Sequence, residues 1–507
     1  MNVPPADVAL ILEGTYPYVM GGVSTWVHQI IGAYPERKFS LIHIAPHPGA
    51  YEKPVYTVPG NVVGIHEVYC RGAERLGKPG MLRIPAPPAP GQPSRVLSAL
   101  RRLHLQDEID DELIPDLAAD DLTIKEFLHG DASFELLREL YAKLCPEAPF
   151  MDFFWHLRAM HIPLLRMLHA EYPVANVYHA VSTGYAGVIG SICSHKTGRP
   201  LVVTEHGLYH REREMELARA TWITDLDLAQ LGSARPSPLR RLWSHYFRAL
   251  SKIAYRQATA LVTLSEANRA KQLADGADPK KIEIVPNGVK FPDKPTPRLS
   301  SAGIEVLDES TITREPEVRK FRVGFVGRIV PIKDVITLIR AVAIAKDQVD
   351  MEMWMIGPDS EDAGYATRCK ELVTQLGLEG IFKFLGSRQM AEMYPQLDVV
   401  LLTSLSEGQP LVILEAYAHG VPVIATDVGA CREMCEGGDA GDRALGPSGI
   451  CTRAANPRET AAAIVKLGRN RDLRKKMGAN ARARITARYQ FQRLVSSYET
   501  IYARMAG

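Results

Sequence analysis

Short apolar runs rich in β-branched residues, each followed by a helical stretch, recur in both halves of this chain, and that alternation restricts its fold more than any other feature. In the first half VALILEG leads into GGVSTWVHQIIGAYP, and FSLIHIAPH, VANVYHA, LVVTEHG and ATALVTLSE follow as strand candidates. In the second half RVGFVG, MEMWMIG, IFKFLG, DVVLLTS and PVIAT repeat the pattern, with Gly449-Ile450-Cys451 as a short edge candidate. Parallel strands need crossover connections of about a dozen residues or more, usually helices, so strictly alternating elements predict parallel, doubly wound sheets. The chain is therefore read as α/β with two such sheets, and 507 residues are enough for two full cores.

The alternation breaks at about 72–171, where the Pro-rich RIPAPPAPGQP is followed by acidic helical sequence and then FMDFFWHLRAMHIPLLRML. This is read as a mainly helical insertion in the first domain. Its aromatic run Phe150, Phe153, Phe154 and Trp155 fits a buried helix better than a membrane or partner contact. A polar, Pro-rich stretch without apolar period separates the halves. The expected plan is a first domain over 1–290, a connection over 291–318, a second domain over 319–487 and a terminal helix over 488–507.

Composition excludes several function classes. A net charge of +2 implies no global pull on nucleic acid. The nine Lys and Arg of 466–488, against the single acid Asp472, read as solvated helix faces more readily than as a docking site for an anionic membrane. Seven scattered cysteines suggest reduced thiols, and Cys431 and Cys435 lack the partners of a zinc site. The amino terminus has no signal-like basic start, and no apolar run reaches the roughly 18 residues of a membrane span. A soluble, cytoplasmic protein is expected, with any inner-membrane association peripheral.

Two segments of the second half carry chemistry. FRVGFVG (321–327) is a buried strand ending in glycine, and Arg328 and Lys333 follow before a helix with apolar Val335, Leu338, Ile339 and Val342. Cations beyond the carboxyl end of a parallel strand suit a diphosphate, Arg offering a fork of donors and Lys a point charge. The second segment is LSEGQPLVILEAYAHGVPVIATDVG (405–429). A helix from Pro410 places Glu415 inside it and Glu407 in the loop before it, with Gly408, Gln409 and Pro410 at the entrance. The unpaired N–H groups of a helix start bind anions, phosphate above all. The segment could hold a diphosphate at the helix tip, a ribose on Glu415 and a reacting sugar near Glu407. Taken singly, these residues are ordinary surface charges; together they define one site.

GRIVPIKD, VDMEMWMIGPD, IFKFLGS and LSEGQPLVILEAYAHGVPVIATDVGACREM resemble the carboxyl-terminal signature of family 4 retaining glycosyltransferases of the GT-B fold. EGTYPYVMGGVSTWV and LVVTEHGLYHRERE resemble, within that family, the cytosolic glycosyltransferase of the Pel exopolysaccharide machinery. The resemblance implies two Rossmann-like domains facing across a cleft. It implies that Gly21 and Gly22 let backbone approach the donor diphosphate, and that Arg328 and Lys333 clamp it. Glu407 would lie near the donor sugar, the amides of Gly408, Gln409, Pro410 and Leu411 would mark the helix tip (Pro410 itself having no N–H), and Glu415 would hold the ribose hydroxyls. Gly386, Ser387 and Arg388 would seat the base, and His206 would face the transferred sugar. Many relatives have Gly where this chain has Asp334.

The activity so implied is hexose transfer from a UDP-sugar, UDP-glucose first, to a growing exopolysaccharide, with an inner-membrane polysaccharide synthase as partner. No cofactor or metal is expected, because the only acidic run of note, Asp107, Asp110 and Asp111, lies in the insertion. Glu407 is read as orienting the sugar, with attack on the donor face the leaving group occupies. Two further readings stay open: a family 4 transferase making another glycan, and a nucleotide-sugar-binding subunit that regulates a membrane synthase. A pyridoxal-phosphate phosphorylase is disfavoured for want of a cofactor lysine. The alternating charges His210, Arg211, Glu212, Arg213 and Glu214 fit a solvated helix face or an acceptor contact equally well.

Overall fold

The computed structural model describes residues 5–72, 93–223, 237–291, 298–299, 305–306 and 320–506. Most of the Pro-rich run and most of the expected connection lie outside the described residues. Two compact units result: one of Met1–Thr263, Arg269–Ile284 and Tyr498–Gly507, the other of Leu264–Asn268 and Val285–Ser497. The first boundary falls at Ile284 instead of 290, and the terminal helix, Phe491–Ala506, is divided at Tyr498.

The first unit holds β1 (Ala6–Glu13), β2 (Phe39–Ala45), β3 (Val62–Tyr69), β4 (Ala175–Ala180), β5 (Leu201–Glu205), β6 (Ala260–Thr263) and β7 (Ile282–Ile284). They form one parallel sheet in the order β3-β2-β1-β4-β5-β6-β7. Strands covered on both faces read as near-continuous apolar runs, and β2 is buried along its whole length, Ser40 and His43 included. β3 is an edge strand with only Val68 buried, and its sequence, interrupted by Gly64, His66 and Glu67, gives no clear strand pattern.

Between β3 and β4 the described residues form the helices Arg95–Leu105, Leu113–Leu117, Ile124–His129, Asp131–Leu144 and Phe150–Leu168. Their starts are written locally: Ser94 caps the first, and Thr123 with Glu126 forms a capping box on the third. Phe153 is buried in a core shared with the helix Pro238–Gln257, whereas Trp155, two residues on, is 59% exposed. The aromatic run is therefore split between core and solvent. Two of the acids of this region are in ion pairs, Asp110 with Arg102 at 2.9 Å and Asp111 with Arg256 at 2.6 Å.

A two-residue antiparallel pair, β8 (Arg298–Leu299) with β9 (Glu305–Val306), precedes the second sheet. That sheet contains β10 (Phe321–Val326), β11 (Met351–Ile356), β12 (Phe382–Gly386), β13 (Val399–Leu402), β14 (Val423–Thr426) and β15 (Gly449–Thr452), all parallel, in the order β12-β11-β10-β13-β14-β15. Side chains alternate across it as the pleat requires. Val399 and Leu401 enter one core with the helices Val335–Ala345 and Pro457–Arg469, while Val400 and Leu402 enter another with the helix Leu411–Ala418.

In each unit the strand order reverses between the first strand and the fourth, β1 beside β4 and β10 beside β13. Connections there leave in opposite directions and open a crevice at the strands' carboxyl ends, where doubly wound folds bind ligands. No helix among the described residues is long and apolar enough to cross a membrane.

Candidate functional site

In the second unit the loops beyond β10 and β13 are bound to each other. After β10 the chain passes Arg328 and turns through the 3-10 helix Pro331–Lys333. After β13, Leu405 N–H donates to Ile332 O at 2.8 Å, and Thr403 Oγ1 donates to Lys333 O at 3.0 Å and Asp334 O at 3.1 Å. These bonds set Lys333 Nζ 2.5 Å from Glu407 Oε1, on which Ser404 Oγ also donates at 2.6 Å. Both charged side chains are largely buried, Lys333 20% and Glu407 11% exposed. Two residues assigned to the site from separate stretches of sequence are thus one ion pair.

The Glu407 loop is also held from behind. Gly429 has φ 54°, and a Cβ there would lie 2.0 Å from Glu407 O, so both backbone and space demand glycine. Its neighbour Ala430 donates its N–H to Gly408 O at 2.8 Å. The helix Leu411–Ala418 starts one residue later than expected, with Pro410 as its N-cap, and no side chain caps it. The Ile413 N–H donates to Pro410 O at 3.1 Å, which leaves the Leu411 and Val412 amides for an external acceptor. The Gln409 side chain takes another direction: its Oε1 accepts the Asn287 N–H at 2.6 Å and its Nε2 donates to Leu264 O at 3.3 Å. The Gln409 carbonyl also accepts from Asn287 Nδ2 at 3.2 Å, so at this position the backbone N–H, not the side chain, remains for a ligand.

Glu415, one turn into that helix, receives the Tyr394 O–H on Oε2 at 2.6 Å. Burial pushes its carboxyl above the ordinary range and the Tyr394 bond draws it back. Tyr394 is the site residue that sequence reasoning missed. The other expected residues do not join the Lys333–Glu407 pair. Arg328 Nη1 turns to Glu361, 2.6 Å from Oε1, in an exposed pair of the kind that contributes about 0–1 kcal/mol. Gly386 ends β12 with φ 65°, and Arg388 Nη1 donates to Ser387 O at 3.3 Å from an exposed position.

Asp334 adopts φ 45° and ψ 52°, the left-handed conformation in which glycine is at home, and its Oδ1 accepts the Thr337 N–H at 3.3 Å as N-cap of the helix Val335–Ala345. The aspartate thus offsets the backbone strain with a cap. Asp334→Gly should change stability by less than about 1 kcal/mol, since strain and cap are lost together, whereas Asp334→Ala should destabilise by about 1–2 kcal/mol. Equal denaturation midpoints for the two variants would refute this account.

In the first unit His206 follows β5 directly. Its Nε2 is buried without a hydrogen-bond partner, its ring meets Trp26 edge-on at 4.7 Å, and burial depresses it to about 4, so it is neutral at pH 7. Gly21 is the N-cap of the helix Gly22–Ala33 with extended backbone, and a Cβ on it would touch nothing within 4 Å. Nothing in the folded chain itself demands glycine at 21. The charges after His206 are mostly tied down: His210 is buried 3.2 Å from Asp275, which Arg211 also grips at 2.9 Å, and Glu214 pairs with Arg248 at 2.7 Å.

Comparison with known proteins agrees with this anatomy. Residues 6–280 match the family model described as Domain of unknown function (DUF3492), and residues 320–470 that described as Glycosyl transferases group 1. The MMP alpha-(1->4)-mannosyltransferase of Mycolicibacterium hassiacum is 29% identical over 323 residues, covering 61% of this chain and 68% of the relative. The D-inositol 3-phosphate glycosyltransferase of Geodermatophilus obscurus is 29% identical over 347 residues, covering 63% of this chain and 70% of the relative. Among solved structures, Anabaena HepE in complex with UDP superimposes with a TM-score of 0.58 at 16% identity, covering 98% of this chain and all of HepE. The DUF3492 model spans more than half of the sequence, so the chain belongs to that family; its residues 320–470 match the group 1 glycosyltransferases, and its two parallel sheets have the GT-B fold.

Proposed function

We propose that this protein transfers a hexose from a UDP-sugar, UDP-glucose first among candidates, to a growing exopolysaccharide of the Pel type, retaining the anomeric configuration. The observation that carries the reading is the placing of Lys333, Glu407 and the uncapped start of Leu411–Ala418 at the carboxyl ends of β10 and β13. A departing nucleoside diphosphate gains negative charge, and fixed donors aimed at such growing charge commonly lower a reaction barrier more than any other device. Lys333, the helix-tip amides and an Arg328 released from Glu361 would supply them. Glu407 would orient Lys333 and a sugar hydroxyl, and Glu415 would accept the ribose hydroxyls. His206, neutral and with a free ring nitrogen, is suited to hydrogen-bond an uncharged sugar.

The sugar and the nucleotide rest on likeness. HepE has been solved with UDP and with UDP-glucose, and the sequence relatives are named for mannosyl and other glycosyl transfer. The Pel assignment and an inner-membrane synthase as partner rest on the resemblance of EGTYPYVMGGVSTWV and LVVTEHGLYHRERE.

Purified full-length protein should release UDP from one UDP-hexose well above the others, UDP-glucose being expected, and EDTA should not slow it. Binding of UDP without release from any UDP-sugar would favour a regulatory binding subunit, and loss of activity in EDTA would overturn the metal-free reading. Glu415→Gln should weaken UDP binding about tenfold by calorimetry, in line with a lost hydrogen bond to a charged group.

A further inference from the structure

We propose that Tyr394 is a positioning residue that gives the second unit its preference for ribonucleotides over deoxyribonucleotides, by holding Glu415 in the orientation from which its carboxylate meets a vicinal diol. The inference rests on the ribose role given to Glu415 above.

Tyr394 is 1% exposed. It opens the 3-10 turn Tyr394–Gln396, all three residues buried, and its carbonyl accepts the Leu397 N–H at 3.1 Å just before β13. Its ring stacks on His419 at 5.4 Å with 21° between the planes. Glu415 lies on the helix that follows the same strand. The hydroxyl is therefore anchored to the central strand of the sheet and the carboxylate to the helix beyond it, and the 2.6 Å bond joins the two.

A buried phenol needs an acceptor, and Glu415 supplies one. A half-buried glutamate has three rotatable bonds, and without a fixed donor its carboxylate would sample several positions. With Oε2 taken by Tyr394, the remaining acceptor capacity, on Oε1 and on the second lone pair of Oε2, points in fixed directions. Two neighbouring hydroxyls can donate to such a carboxylate together. A 2′-deoxyribose offers only one, and the gain from fixing the carboxylate is then largely lost. No base or phosphate contact distinguishes the two sugars, so discrimination at this position falls to the carboxylate and to what orients it.

The test is calorimetric titration of the full chain with UDP and with 2′-deoxyuridine diphosphate. Wild type should prefer UDP by about tenfold, the factor that one net hydrogen bond is worth. Tyr394→Phe, which keeps the ring over His419, should weaken UDP about five- to tenfold and the deoxy ligand less than about twofold, with kcat at saturating donor little changed. Tyr394→Leu, which removes the ring too, should narrow the ratio by the same factor even if it melts lower. In a Glu415→Gln background Tyr394→Phe should add nothing further. Equal weakening of both ligands, or an unchanged ratio in both Tyr394 variants, would reduce Tyr394 to packing and overturn the proposal. A Glu415→Gln variant with both affinities intact would instead remove the ribose reading itself.

Discussion

Lys333→Met should lower kcat about 10²- to 10³-fold, the loss typical of removing one well-placed donor to developing negative charge. Methionine keeps an unbranched apolar stem of similar length, so the change isolates the ammonium group. Two effects add. The departing diphosphate loses its cation, and Glu407, 11% exposed, loses its Lys333 partner and is left with the Ser404 O–H donating to it. A carboxylate so placed would repel the leaving phosphates it now helps to serve. Ground-state UDP binding should weaken less than kcat falls, because the charge at issue grows toward the transition state. Arg328→Met is the control: its guanidinium is half-exposed and pairs with Glu361, so a loss of about tenfold or less is expected. Turnover is followed as UDP release, with binding measured separately. A Lys333→Met enzyme within threefold of wild type would remove the lysine from the chemistry.

The second sheet was readable almost strand for strand because it is parallel and covered on both faces. Its strands are short, mainly apolar runs broken by at most one charge, Arg322, Glu352 or Lys383, a signal that survives without knowledge of neighbours. β3 escaped because an edge strand needs no such run: of its eight residues only Val68 is buried. Lys333 and Glu407 were each legible as charges beside glycine or helix signals. Their bond was not, since it joins residues 74 positions apart through a turn geometry that no local pattern encodes. Tyr394 carried no signal at all, because a buried tyrosine is ordinary core until its acceptor is known. The solvated face expected for 466–488 holds for Lys475 and Lys476 and fails for Arg484, which is fully buried. Charge pattern alone cannot reveal such a residue, because burial of an arginine depends on partners distant in sequence.

Arg484 therefore defines the second large effect. Its Nε meets Asp442 Oδ1 at 2.7 Å, and its Nη2 donates to Asp442 O at 3.0 Å and Gly446 O at 2.9 Å. Its Nη1 reaches Met434 O and Cys435 O at 3.3 Å, the carbonyls at the end of the helix Cys431–Glu436, and Ser448 Oγ as well. A cation at a helix carboxyl terminus is favoured by the helix dipole, and here each nitrogen of the planar group has a protein acceptor. Arg484→Met removes all of this and leaves the Asp442 carboxylate buried with only the Gly438 N–H on its other oxygen. Breaking a buried pair from one side destabilises by about 3–5 kcal/mol, whereas replacing both partners by apolar groups is often neutral. Arg484→Met should thus lower the denaturation midpoint of the second unit sharply, and Arg484→Met with Asp442→Leu should recover part of the loss. Arg484→Lys should recover little, since one ammonium cannot span the Asp442, Gly446 and Met434 acceptors. The helix Cys431–Glu436 begins next to Ala430, whose N–H holds the Gly408 carbonyl, so the folded fraction of a weakened variant should also bind UDP less tightly than wild type. A single Arg484→Met variant within about 1 kcal/mol of wild type would mean that the buried network adds nothing beyond its own desolvation.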